Sequence, residues 1–190
     1  MNQTQKALKT IVLAGILTAI GIIIPLFSPI KITIDPASFT LASHVAIFIG
    51  MFVSPVVGIS VTLGTTLGFL LAGFPISVVM RALSHLVFVT VGGFLLKKKP
   101  GTLESIPKTI AFAALISIIH GICEVLISIP FYVAGPATQS FFIAIILLVG
   151  VGTFVHSMID FLLAYIIWQP LKKLFPQKAV VLPLKEDLSS

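Results

Sequence analysis

Three apolar stretches each carry one polar pair at helical i,i+4 spacing: Arg81 with His85, His120 with Glu124, and His156 with Asp160. Ionisable groups are expensive in hydrocarbon, so they face the interior of a helix bundle and mark a ligand site, an ion path or a structural pair. Helical spacing puts both members of each pair on one face. With 57% hydrophobic and 9% charged residues and a mean hydropathy of +1.17, the chain has the composition of a membrane protein built around a small polar interior. A net charge of +6 would suggest nucleic acid in a soluble domain. Here most lysines flank apolar spans, where they set topology instead.

A helix crossing a bilayer needs about 20 mostly apolar residues. Six candidates are found, at residues 7–27, 39–53, 55–72, 75–96, 110–134 and 140–168, in a single membrane domain over residues 1–190 with a tail at 169–190. The fold expected is therefore all-α and polytopic, in the cell membrane. Lys6 and Lys9 followed by an apolar run mimic a signal peptide, but the run is long and no small-x-small site follows, so it reads as an uncleaved first helix. Ser54-Pro55, Gly73-Phe74-Pro75 and Gly135-Pro136 supply turn chemistry between spans.

With six spans and the N-terminus inside, Lys6 and Lys9, the loop from Lys97 to Lys108, and the tail lysines Lys172, Lys173, Lys178 and Lys185 all fall on the cytoplasmic side. Only Lys31 falls in an outside loop. This bias favours both termini in the cytoplasm. In the first outer loop, residues 28–38, Ile30, Ile32 and Ile34 alternate with Lys31, Thr33 and Asp35. Such alternation predicts an extended, half-buried segment, either a lid over the bundle or an ordinary outer loop. Ala14, Gly15, Thr18 and Ala19 make a small-residue face on the first helix, and Gly64 and Gly68 make a GxxxG on the third. Both allow close backbone approach, within the bundle or to a partner.

Depth sorts the polar residues. At about 1.5 Å per residue, His44, Arg81, His85 and Glu124 share one layer toward the outside, while His156 and Asp160 lie deeper and read as a structural pair. Arg81 is the only arginine in the chain. Its guanidinium forks onto carboxylates, so it either anchors an anionic ligand or pairs with Glu124 or Asp160. His44 and His85 can address a ligand oxygen or ring nitrogen, or a backbone carbonyl. Glu124 can bind an amine, neutralise Arg81 or carry a proton. His120 and Glu124 with His156 and Asp160 offer imidazole and carboxylate ligands, but the HExxH signature is absent, and no metal or cofactor is expected. Cys123 reads as a structural thiol. There is no nucleophile elbow, P-loop or dinucleotide fingerprint, so an enzyme is not expected.

Six spans, a polar layer near the outer face and no ATPase signature resemble the substrate-binding S components of energy-coupling factor (ECF) vitamin transporters, over roughly residues 8–170. The stretch from Pro36 through Phe39 to His44, and Arg81-Ala82-Leu83-Ser84-His85, look like the niacin-type branch. The resemblance implies uptake of a small carboxylate vitamin through a separate module, a transmembrane coupling subunit with two ATPases. It implies that Ala14, Gly15, Thr18 and Ala19 dock on the coupling subunit. Metal-specific members carry histidine after the initiator methionine, where this chain has Asn2. Arg81 would take the niacin carboxylate, with His44, His85 or Glu124 at the ring nitrogen and Phe39 or Phe74 as stacking surface. The alternatives are pantothenate or another vitamin, a self-sufficient proton-coupled carrier using Glu124, His156 and Asp160, a membrane metalloenzyme, and a purely structural subunit.

Overall fold

Local side-chain capping sets the starts of two helices in the computed structural model, which describes residues 2–34, 37–136 and 139–174. Asp35 and Pro36 of the first outer loop, and Lys178 and Lys185 of the tail, lie outside the described residues. Helix α1 (Gln3–Phe27) opens with a reciprocal capping box between Asn2 and Gln5, which satisfies two otherwise orphaned N–H groups. Helix α3 (Pro55–Leu71) starts at Ser54, whose side chain accepts from the Val57 N–H at 3.2 Å, with Pro55 in the first turn. Past its end, Gly73 sits at φ +77°, a left-handed position that favours glycine. Helix α4 (Ile76–Lys98) ends in Lys97 and Lys98, where cations complement the helix dipole. Helix α5 (Ile106–Ala134) follows a short 3-10 turn. A π-helical stretch, Phe142–Val151, leads into α6 (Gly152–Leu171).

Four of these helical segments, Gln3–Phe27, Ile76–Lys98, Ile106–Ala134 and Phe142–Leu174, are long and apolar enough to cross a membrane, and Pro55–Leu71 is a shorter apolar helix. With large apolar side chains exposed along them, such as Ile11, Ile16, Leu67, Ile122 and Leu162, this is a multi-pass membrane protein.

The stretch expected as one helix over residues 39–53 is built differently. Strand β1 (Lys31–Ile34) pairs antiparallel with β2 (Ala37–Thr40), with Ile32 opposite Phe39 and Thr33 opposite Ser38. A turn follows, and helix α2 covers only Val45–Val53. Nine residues reach roughly 14 Å at 1.5 Å each, about half a hydrocarbon core. Every residue from Val45 to Phe52 is buried, so α2 is apolar on all sides, as a helix with no lipid or water face must be. It packs against α1, α3, α4 and α6. Extended backbone at such a depth is tolerated where protein covers it or where it lines a cavity.

Part of the small-residue faces serves internal packing. A Cβ on Gly64 would stand 2.7 Å from Thr18 Cγ2, and one on Gly21 2.9 Å from Thr65 Oγ1. Only glycine lets α1 and α3 approach this closely. Ala14 is buried and Thr18 half-buried, whereas Gly15 and Ala19 are exposed.

Candidate ligand site

All four histidines of the chain meet in one cluster. The ring of His44 lies 4.8 Å from His85, 4.8 Å from His120 and 5.0 Å from His156, centroid to centroid, and His85 lies 4.7 Å from His120. Two carboxylates and the single arginine complete the group. While Asp160 stands outside the lining, against His44 and His156, the histidines, Arg81 and Glu124 line a cavity of about 470 Å³, within the range of small-molecule sites. Its remaining wall comes from the hairpin (Lys31, Thr33, Ser38, Phe39), from Thr65 and Phe69 on α3, from Phe74, and from Thr153.

On one side stands Glu124 of α5. Its Oε2 accepts from Arg81 Nε, and its Oε1 lies 3.2 Å from His85 Nε2 and 3.5 Å from His120 Nε2. The i,i+4 pairs on α4 and α5 aim both of their members across the same gap. Glu124 and His85 are buried, and the Arg81 side chain keeps 13% of its exposure. A guanidinium this desolvated needs an anion beside it, and of the two carboxylates it is Glu124, not Asp160, that stands there.

On the other side stands Asp160 of α6. Its Oδ1 accepts from the Ala42 N–H at 2.8 Å; its Oδ2 accepts from the His44 N–H at 2.9 Å and lies 3.0 Å from His44 Nδ1. The Ser43 hydroxyl adds a longer contact at 3.4 Å and also meets His156 Nε2 at 3.1 Å. Asp160 therefore caps the start of α2 in place of a local Ser or Asp, satisfying N–H groups that would otherwise be orphaned within the protein. It also holds Ala42 at φ +66°, a conformation that disfavours non-glycine residues by roughly 1–2 kcal/mol.

Depth estimated from the sequence placed His156 and Asp160 below the ligand layer. Starting α2 at Val45 instead of Phe39 removes the first turn and a half of that helix and brings His44 level with both residues. His156 then lines the cavity and Asp160 joins the cluster through His44, both following from one helix start, while His120 enters it from α5 beside Glu124. The repeated i,i+4 spacing was the signal that all three belong together.

Phe39 lines the cavity with its ring 5.4 Å from His156. It rests on Gly152, where a Cβ would come within 2.7 Å of Phe39 Cζ. Phe74 stacks on Phe69 at 4.7 Å. Lys31 and Thr33 line the cavity while Ile30, Ile32 and Ile34 are exposed. The alternation of this loop is thus realised as a strand, with its polar side over the cavity and its apolar side outward. All four residues of that strand are exposed, so the expected half-burial is not found, because only β2 packs inward. Cys123 is half-buried and outside the lining.

The donor atoms of His44, His85 and His120 lie within 4.8 Å of one another, as do those of His44, His156 and Asp160. Ligands on one tetrahedral zinc stand roughly 3.3 Å apart for bonds of about 2.0 Å, so either trio would have to close inward to hold an ion. As it stands, the cavity offers the Arg81 guanidinium paired to Glu124, the Lys31 ammonium on the hairpin, several hydrogen-bonding imidazoles and aromatic walls. That chemistry suits a small planar anion.

No protein-family model matches the chain, and no solved structure matches it. It is 43% identical over 180 residues to the niacin transporter NiaX of Lactococcus lactis subsp. cremoris (strain MG1363), an alignment that covers 93% of this chain and 81% of that protein. At that identity and coverage, the chain belongs to the same family as this niacin transporter.

Proposed function

We propose that this protein is the substrate-binding S component of an ECF transporter, not an enzyme, and that its cargo is niacin. The observation that carries this reading is the placement of Arg81, the one arginine of the chain, in the wall of a cavity that also presents four imidazoles, aromatic rings, hydroxyls, Lys31 and the Glu124 carboxylate. Niacin is a pyridine carboxylate. Its carboxylate replaces Glu124 at the Arg81 guanidinium, His85 and His44 lie beside the ring, and Phe39 offers it a face. Kinship with a niacin transporter supports the same cargo.

In this reading the chain crosses the membrane six times with both termini in the cytoplasm, and α2 with β2 forms the second crossing. The hairpin β1–β2 lies toward the outside, where cargo arrives. Energy comes from a separate coupling subunit and two ATPases. The first helix docks on the coupling subunit through the side that carries Gly15 and Ala19, while Ala14 and Thr18 hold α1 against α3. Asp160 is bound by two backbone N–H groups, which fits a fixed structural acceptor better than a proton relay.

The test is niacin binding by purified Arg81→Ala. Loss of roughly 100-fold or more in affinity is expected from removing a charge-assisted fork. The Arg81→Ala/Glu124→Gln double variant leaves no unpaired buried carboxylate, and it should stay folded and still fail to bind. Unchanged affinity in either variant removes Arg81 from the site.

A further inference from the structure

His120 is fully buried, at 0% exposure, and lines the cavity. Neither of its ring nitrogens has a hydrogen-bond partner. The other three histidines are each engaged: His44 Nδ1 by Asp160, His85 Nε2 by Glu124, and His156 Nε2 by Ser43. The nearest group to His120 Nε2, Glu124 Oε1, is 3.5 Å away and already takes the contact from His85. Apolar or imidazole rings cover the other directions, with Phe88 centred 4.7 Å away and His44 4.8 Å away. A neutral imidazole has one N–H donor and one lone-pair acceptor. Burying both unpaired is unfavourable, and such a group in a folded protein calls for a partner.

We infer that His120 donates its N–H to the ring nitrogen of bound niacin, and so is the residue that tells a pyridine carboxylate from a benzoate of the same size and charge. This rests on the niacin reading above. The pyridine nitrogen of niacin carries a lone pair and no hydrogen, so it is an acceptor seeking a donor. Its meta relation to the carboxylate turns it away from Arg81 on α4, and the unpaired donor stands on the neighbouring helix, α5. A site built to hydrogen-bond one ring atom rejects the analogue lacking it far better than a pocket of shape alone, because the buried donor is then left unpaired.

The experiment is calorimetric titration of the full-length protein in detergent with nicotinate and with benzoate, on wild type, His120→Gln and His120→Met. Wild type should favour nicotinate by roughly 10-fold or more. His120→Gln keeps an N–H donor and should retain part of that preference. His120→Met removes the donor and should bring the two affinities within about 3-fold, with benzoate binding little changed. The Met variant should be at least as stable as wild type, since it replaces an unpaired buried polar ring with a flexible apolar chain. A purely structural role for His120 would instead lower stability and weaken both ligands together. Equal binding of the two ligands by wild type, or a full nicotinate preference in His120→Met, overturns the assignment. Failure of wild type to bind nicotinate at all overturns the niacin reading, and this assignment with it.

Discussion

The two buried carboxylates of the histidine cluster have opposite surroundings. Asp160 receives two backbone N–H groups and an imidazole, all at 2.8–3.0 Å. Glu124 receives only side chains, Arg81, His85 and at longer range His120, and the ring nitrogens beside it include three without partners, His85 Nδ1 and both of His120. A carboxylate bound by backbone is part of the fold, because nothing can replace it without unmaking the start of α2. A carboxylate bound by movable side chains next to unpaired ring nitrogens can be exchanged for another anion. The same chemical group thus holds the start of α2 beside the cavity in one place and, in the proposed reading, yields to cargo in the other.

The largest effect expected from breaking this contrast is on stability. Asp160→Ala leaves two backbone N–H groups and the His44 ring unpaired inside the bundle, a loss of about 3–5 kcal/mol. Thermal unfolding in detergent should show a much lower midpoint. An unchanged midpoint would mean that Asp160 does not hold α2.

Glu124→Gln should act in the other direction. It removes the competitor for Arg81 while keeping the shape, so niacin binding should tighten by roughly 5- to 10-fold. Calorimetry reads this directly, and weaker binding would show that Glu124 itself holds the ligand. The smallest effect belongs to Gly152→Ala. Its methyl would come within 2.7 Å of the Phe39 ring, so the ring must shift, and niacin binding should weaken by roughly 3-fold. If affinity is untouched, Phe39 is not part of the ligand surface.

Much of this arrangement was legible in the sequence. Three i,i+4 pairs in apolar stretches announced a common polar interior, and Ser54-Pro55 and Gly73-Phe74-Pro75 marked turns that the structure keeps. The structure of the stretch expected as a second span was not legible. Residues 39–53 are apolar enough to read as a helix throughout, and what breaks them is a carboxylate 118 positions away from Ala42. Local propensity cannot report so distant a cap. The error propagated to His44, whose depth was counted from a helix start that does not exist, and so His156 and Asp160 were assigned to a separate, deeper pair. The small-residue face on α1 was legible as a packing surface, but which of its members turn toward α3 depends on Gly64 and Thr65, which lie on another helix.

The central claim is that a lone arginine in a histidine-lined cavity selects a pyridine carboxylate. The most direct measurement is calorimetric titration of the purified full-length protein with niacin, nicotinamide and pantothenate. Niacin should bind one per chain, and nicotinamide, which has the same ring but no charge, should bind roughly 100-fold more weakly or not at all. Equal binding of niacin and nicotinamide would contradict the carboxylate anchor at Arg81, and binding of pantothenate alone would contradict niacin as the cargo.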